Sequence, residues 1–411
     1  MNYSTLLKPG CTFLSVKFSK CLLFIFLMIP FLDLVQPVSA QTTLIKKEKS
    51  LALARSSINP DAATRIFSTE TSESAKVDST RQKRVRLMLL PIVFKSPDTG
   101  LAAGVLPQVV FRSSSSGHPS SIRMDSYYTQ NRQYHLLLRS TYWFPDNNRN
   151  LTGKISLKEW PTTFYGIGNQ ASSGPQEKFT ETLYEASVEA TSRIAPGLYA
   201  GAGYGMRYGK LAAEDTDGVL FSGSIPGSGT TFISGVHTVL RFDTRDNHFY
   251  PTSGSLHRVE LYAAMKPLGS DYGFTRLTVD LRRYFTFHPT HALAIQAIGV
   301  ATTATVPFRM LPSAGSTLRG YSTVRHIDRN LVALQMEYRV VPVAWRLGMV
   351  AFGGIGEVFN RPADIQLNKL KFAAGIGLRY QFSRPEKINI RLDYGQGRDS
   401  SGDYIDLNEA F

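Results

Sequence analysis

From Leu87 onward the chain alternates apolar and polar residues with a period of two, placing successive side chains on opposite faces of an extended strand. The alternation is cleanest late in the chain. In residues 272–285, Arg276, Thr278, Asp280 and Arg282 share one face while Leu277, Val279 and Leu281 share the other. In 369–382, Lys371, Arg379 and Gln381 oppose Leu370, Phe372, Ile376, Leu378, Tyr380 and Phe382, and in 387–394, Lys387, Asn389, Arg391 and Asp393 oppose Ile388, Ile390, Leu392 and Tyr394. Turn residues divide the pattern into sixteen predicted strands: 87–94, 101–112, 121–129, 133–143, 150–159, 180–192, 198–209, 231–244, 255–266, 272–285, 292–303, 330–341, 346–358, 369–382, 387–394 and 403–411.

An even number of long strands, with short links at one end and several long ones at the other, predicts an all-β fold. It is a 16-stranded antiparallel transmembrane β-barrel over residues 87–411, with lipid outside and a polar lumen inside. A soluble sandwich also alternates, but its polar faces look outward and it seldom needs strands this long. Pro91 lies in the first strand and cannot donate to a ladder, so that strand belongs at an edge or at a weak seam. Average composition decides nothing here: 11% aromatic residues and 33 glycines suit a soluble β-protein or a barrel equally.

The start of the chain predicts export. Lys17 and Lys20 precede an apolar run from Cys21 to Pro30, and Val38-Ser39-Ala40 offers a small-residue cleavage site, so residues 1–40 are expected to be a signal peptide. The alternative, a transmembrane anchor, needs a longer uninterrupted apolar core. Residues 41–86 are polar and charged and predict a flexible periplasmic segment without a core of its own. Both cysteines, Cys11 and Cys21, fall before the cleavage site, so no disulfide or thiol chemistry is expected in the exported chain.

The net charge of +14 would suit nucleic acid, but the arginines alternate along strands rather than cluster on a helix. A basic lumen, or contact with the anionic headgroups of outer-membrane lipids, fits better, and no nucleic-acid partner is expected. The eight histidines are scattered, and His288-Pro289-Thr290-His291 reads as a hairpin turn rather than a metal site. His248 near Asp246 could imitate the Asp/His pair of a barrel hydrolase. Glycine-rich stretches follow no phosphate-loop spacing. No metal, cofactor or enzymatic activity is expected.

One long irregular segment, 304–329, stands out, with Leu318-Arg319-Gly320-Tyr321 inside it. On 330–341 the lipid face is Val332, Leu334, Met336, Tyr338 and Val340, so Gln335, Glu337 and Arg339 point into the lumen. A carboxylate there must be paired or wetted. Arg319 on a loop folded back inside could grip Glu337 through both ends of its guanidinium. Gly320 would allow a tight or left-handed turn and Tyr321 would wedge against the wall. In the alternative, the loop stays in solvent and Glu337 pairs with Arg339 or a cross-strand arginine.

Leu318-Arg319-Gly320-Tyr321 resembles the (Val/Leu)-Arg-Gly-(Phe/Tyr) motif of the BamA/TamA superfamily of outer-membrane barrels, also called the bacterial surface antigen family. The likeness extends to Asp243-Thr244-Arg245-Asp246-Asn247 with Pro251 and Gly254, similar to that family's conserved-pattern hairpin, and to Glu337-Tyr338-Arg339 after the loop. Residues 351–358, the ending Arg391-Leu392-Asp393-Tyr394-Gly395 with Glu409-Ala410-Phe411, and Phe164-Tyr165-Gly166-Ile167-Gly168-Asn169 are of the same kind. The resemblance implies an inward-folded loop anchored through Arg319, with Glu337, Arg339 and Glu357 as its partners. It implies insertion or translocation of a protein or lipid client through a lateral seam between the first and last strands. A passive porin or structural barrel is the alternative. Phe411 would be part of the signal by which barrel-assembly machinery inserts this barrel, itself expected to be a monomer in the outer membrane of a Gram-negative bacterium.

The chain departs from the family pattern in three places. Gly354 stands where the thirteenth strand usually has an aspartate for the loop arginine, which leaves Glu337 alone or with Glu357. Glu409 replaces the usual apolar residue two before the terminal aromatic, and residues 41–86 are too short for a client-binding POTRA domain.

Overall fold

The computed structural model describes residues 85–96, 100–114, 117–169, 176–213 and 218–411. The expected signal peptide, and residues 41–84 of the segment after it, lie outside the described residues. Sixteen strands follow in chain order: β1 (Arg86–Ser96), β2 (Gly100–Arg112), β3 (Pro119–Thr129), β4 (Tyr134–Trp143), β5 (Arg149–Phe164), β6 (Glu177–Ala195), β7 (Leu198–Ala213) and β8 (Thr231–Asp243), then β9 (Gly254–Ala264), β10 (Phe274–His288), β11 (His291–Thr302), β12 (Asn330–Ala344), β13 (Leu347–Phe359), β14 (Lys371–Ser383), β15 (Ile388–Gly397) and β16 (Ser401–Leu407). Each pairs antiparallel with the next, and the order in the single sheet is the order in the chain. The short links 196–197, 289–290 and 345–346 share one end, hereafter the turn end, with the start of β1 and the end of β16. The long connections 165–176, 214–230, 303–329 and 360–370 share the other, the loop end.

The two-residue period becomes two surfaces. On β12, Val332, Leu334, Met336 and Tyr338 are each 40–48% exposed, while Glu337 and Arg339 are 0% exposed. On β14, Phe372, Ile376 and Leu378 are exposed and Arg379 is buried. The exposed row is apolar and the buried row charged, the reverse of a water-soluble sheet and the arrangement lipid requires. β5, β6 and β7 run past their predicted ends on the loop side. At ~3.3 Å per residue, the 19 residues of β6 extend roughly 60 Å, well beyond a bilayer core even when tilted. The extension has partners: Glu177 accepts the backbone N–H groups of Val219 (2.9 Å) and Leu220 (2.8 Å), and Phe179 joins a buried cluster with Phe164, Leu220, Phe308 and Ile327.

The last strand is shorter than its pattern. β16 ends at Leu407, not at Phe411. Asn408 adopts a left-handed φ of 69° while its N–H still bonds Asn389 O at 2.8 Å, and the next residues leave the sheet for the lumen. Glu409 and Phe411 have charged and aromatic partners there, which outweigh continued pairing along the edge of β15.

β1 and β16 are the two edges of the sheet, each with one neighbouring strand. Side chains bring the edges close. Ile92 of β1 packs with Leu106 and Leu407, Arg86 donates to Ser383 Oγ at 3.2 Å, and Arg123 donates to Leu407 O at 3.1 Å. The sheet is therefore a nearly closed barrel. Pro91 sits on the edge strand, with its side chain exposed, opposite Val105, the kind of position where a missing N–H is tolerated.

Candidate functional site

The connection 303–329 folds back into the barrel. Short 3-10 turns at Phe308–Met310 and Ala314–Ser316 and a bridge between Ser313 and Ile327 give it internal order. Leu318 (1% exposed) and Tyr321 (3%) are buried with Ala373. Gly320 has φ 108°, a region in which a side chain is strained, and a Cβ there would lie 2.7 Å from Gly397 N. The wall yields in return: Gly397 leaves room for the Tyr321 ring, and Gly395 for the backbone of Arg319. Tyr321 Oη donates to Phe372 O (2.9 Å) and accepts from Arg398 N (3.0 Å), while Gly320 N donates to Tyr404 Oη at 2.8 Å. The loop tip thus rests on β14, β15 and β16.

Arg319 holds two carboxylates. Nη2 donates to Glu337 Oε2 at 2.5 Å and Nη1 to Asp393 Oδ2 at 2.6 Å, with the guanidinium carbon 3.5 Å from the centroid of Phe352. Both acids are shared. Glu337 Oε1 takes Arg339 Nε at 2.7 Å, and Asp393 Oδ1 takes Arg379 Nη1 at 2.5 Å. Arg391 adds a contact of 3.0 Å to Asp393 and another of 3.0 Å to Asp406. Burial of so many charges is tolerated because each guanidinium faces more than one oxygen.

Glu357 does not take this role, a correction to the expected partner set. Its Oε1 accepts from Asn169 Nδ2 at 2.8 Å and its Oε2 from Gln366 N at 3.3 Å, at the loop end. It lies three residues from Gly354, an odd spacing that turns the two to opposite faces of β13. The missing aspartate of that strand is replaced from β15 by Asp393, and a Cβ on Gly354 would come 2.8 Å from Leu318 Cδ2. Asp393 was visible in the sequence as a lumen residue without a stated partner. Arg379 and Phe352 share that lumen parity, but parity does not say which residues meet across the interior. Glu409 has the parity of the exposed Ile405, and only the turn of the chain at Asn408 brings it inside. The Phe164–Asn169 stretch packs on the loop instead: Gly168 N donates to Ile327 O at 2.7 Å, and His326 Nδ1 donates to Asn169 O at 3.0 Å.

The hairpin between β8 and β9 is built by its own polar residues. Asp243 accepts Arg245 through both carboxylate oxygens, at 2.9 and 2.8 Å. Asp246 Oδ1 accepts Thr252 N and Ser253 N at 2.8 and 3.0 Å; burial raises its pKa, but these N–H groups, the Thr252 hydroxyl and Lys387 together more than offset that and hold it below the usual carboxylate range. Gly254 has φ 92°, and a Cβ would strike the carbonyl of Thr244. Pro251 O accepts Arg339 Nη1 at 3.2 Å, which ties the hairpin to the lumen network. His248 is not poised beside Asp246. Its Nδ1 faces Arg245 Nη2 at 3.3 Å and its Nε2 faces His118 Nδ1 at 3.1 Å, and burial together with Arg245 pushes it down to about 3.

A cavity of about 500 Å³ lies in the lumen, lined in part by Arg139, Lys154, Arg207, His237 and Arg258. Glu189, His237 and Glu260 present atoms within 4.8 Å of one another. Arg258 Nη2 lies 2.5 Å from both carboxylates, where a cation would have to sit, so these residues hold a guanidinium rather than a metal.

A wall with an apolar outside, a charged inside and a loop locked there by one arginine defines a class: outer-membrane β-barrels with an anchored interior loop. The match is specific within it. A family model described as the Omp85 superfamily domain matches residues 116–405. The chain belongs to the Omp85 superfamily and is an outer-membrane barrel. Among solved structures it is similar to BamA from Haemophilus ducreyi lacking POTRA domains 1-3 (15% identity, TM-score 0.51, 79% of this chain and 69% of that one). It is also similar to CdiB from Acinetobacter baumannii (11% identity, TM-score 0.52, 79% of this chain and 65% of that one). At these identities the likeness is one of fold, and this chain spans about two thirds of each. No curated protein matches the sequence.

Proposed function

We propose that this barrel inserts or translocates a protein or lipid client by opening its wall between β1 and β16. The observation that carries the reading is that these strands are the two edges of the sheet, without backbone pairing to each other among the described residues. Unpaired edges can accept a strand or part for a lipid. Two further features support it. The anchored loop tip contacts β16 directly, through Gly320 N and Tyr404 Oη at 2.8 Å. The axial route is obstructed by that loop, which leaves the wall as the path. On this reading the loop end faces the cell exterior and the turn end the periplasm. Lipid surrounds the exposed apolar rows, assembly machinery inserts the chain as a monomer, and no step is enzymatic.

The test is a reversible staple. Ile92 and Leu407 pack in one cluster across the gap, so Ile92→Cys with Leu407→Cys should form a disulfide that joins β1 to β16. Oxidised cells are expected to lose the activity and to show altered envelope protein or lipid composition, with recovery on reduction. Unchanged growth and composition with the disulfide fully formed would remove the seam from the account.

A further inference from the structure

Glu409, the departure from the family's ending, has a partner set of its own. Its carboxylate side chain is 1% exposed; Oε2 accepts Arg379 Nε at 2.7 Å and Oε1 accepts Asn389 Nδ2 at 2.7 Å. Two residues on, Phe411 is buried with Tyr284 of β10 and Ala294 of β11, and its main-chain oxygen accepts Arg339 Nη2 at 2.8 Å. The segment 408–411 therefore occupies a built cradle in the lumen.

The same two arginines serve the loop. Arg319 reaches Asp393, whose other oxygen takes Arg379; Arg319 also reaches Glu337, whose other oxygen takes Arg339. Two parallel chains of alternating charge thus run from the loop tip to segment 408–411. Counting the groups that carry them, Arg319, Arg339 and Arg379 balance Glu337, Asp393 and Glu409, while Arg391, which also touches Asp393, is paired with Asp406. In a buried setting that balance has a sign. Loss of one positive group leaves surplus negative charge, and the acid on the segment least held by the wall is the one that leaves.

We propose that 408–411 is a docked segment and that Arg379 and Arg339 are positioning residues that couple its docking to the seating of the loop, so that the two bind and release together. The consequence for function rests on the seam reading: docked inward, the segment ends β16 at Leu407; released, it is free to lengthen β16 at the end where β1 begins. Unseating the loop thereby changes what the edge of β1 can pair with.

The test reads side-chain positions in the full chain, with Cys11→Ser and Cys21→Ser. Ala294→Cys with Ala410→Cys reports docking, since both residues belong to one packed cluster. In that background Arg319→Ala should slow disulfide formation by about fivefold or more, and adding Glu409→Gln should recover much of the loss by restoring charge balance. Arg309→Ala, which removes the loop's separate ion pair with Glu181, should leave the rate unchanged. A parent-like rate in a folded Arg319→Ala barrel, or an equal loss with Arg309→Ala, overturns the coupling. Where Arg319→Ala does not fold, the reverse arm decides: Glu409→Gln should lower disulfide formation between Leu318→Cys and Ala373→Cys by a comparable factor, as reciprocity demands. No change there overturns it as well. Neither readout involves a client, so the coupling can fail while the seam survives the staple test, or the reverse.

Discussion

Arg319 spans a gap that no other side chain would bridge. Its two terminal nitrogens bond Glu337 of β12 and Asp393 of β15, strands on either side of Phe352 and Arg379, while the guanidinium face rests on Phe352. A lysine keeps the charge but offers one compact ammonium without a planar face. Removal of Arg319 leaves two buried carboxylates that retain other arginines, so the cost should fall toward the lower part of the range for a broken buried pair, about 3 kcal/mol. The arginine and Asp393 should be non-additive in a double-mutant cycle, with a coupling of about 1–3 kcal/mol for Arg319→Ala and Asp393→Ala. Urea unfolding of the barrel in detergent, followed by its mobility shift on gels, measures both; additive costs would mean that the contact contributes little. The sequence made Arg319 and Glu337 legible, the first by a motif and the second by lumen parity. It did not make Asp393 their third member, because which residues meet across a lumen follows from strand register and barrel curvature, neither of which is written locally. Glu357 was the nearest acid along the strand, and its odd spacing from Gly354 was the available argument against it.

At the scale of elements, strand number and order followed from the period of two, whereas strand ends did not. β16 stops early because its last residues find charged partners inside, and β6 runs on because the connection 214–230 gives its extension something to hold. Turns show the same dependence on distant partners. The connection 113–118 meets the β8–β9 hairpin through His118 and His248, with Trp143 against both rings at centroid distances of 4.6 and 5.7 Å. Arg245 can only donate, so His248 Nδ1 accepts, its Nε2 carries the proton, and His118 Nδ1 receives that bond. Extra protons would set N–H against N–H, or N–H against guanidinium. Burial pushes His248 down to about 3 and lowers His118 as well, with Asp243 opposing and Arg112, Arg241 and Arg245 reinforcing the shifts. A folded-state value below the unfolded 6.5 means that the unfolded chain binds more protons in between. Stability is then complete above about pH 6.5 and declines as the pH falls toward 3. His248→Gln should flatten this decline between roughly pH 6.5 and 5, above the range where carboxylates titrate. Equal slopes for parent and variant in unfolding titrations would show that the pair stays neutral for no thermodynamic reason.

For the whole molecule, the decisive question is whether the lumen conducts or is filled. A barrel of sixteen strands is wide enough for an aqueous channel, so its interior must be occupied to be closed. Occupancy is provided in layers. Near the loop end, Phe308 and Ile327 of the interior loop pack with Phe164, Phe179, Leu211 and Leu220 from the wall and its connections. Below them lies the charge network around Arg319, and toward the turn end Phe411 is held between Arg339, Tyr284 and Ala294. A porin would keep an open constriction lined by charge; here the interior loop packs apolar side chains against β5–β7, β8–β10 and β12–β13, and arginines are taken up by internal pairs. In planar bilayers the parent barrel should therefore show little steady conductance. Deletion of residues 305–328, which removes Phe308, Arg319 and Ile327 together, should open a persistent ohmic pore several-fold larger in conductance. Deletion also removes Arg309, Arg319 and Arg325, while Glu337 and Asp393 keep Arg339, Arg379 and Arg391. The loss of positive charge should shift this pore's preference toward cations, and raising the salt concentration should weaken that shift by screening. Steady conductance with a sharp solute cut-off in the parent itself would favour a passive channel, because a path along the axis would then need no opening in the wall.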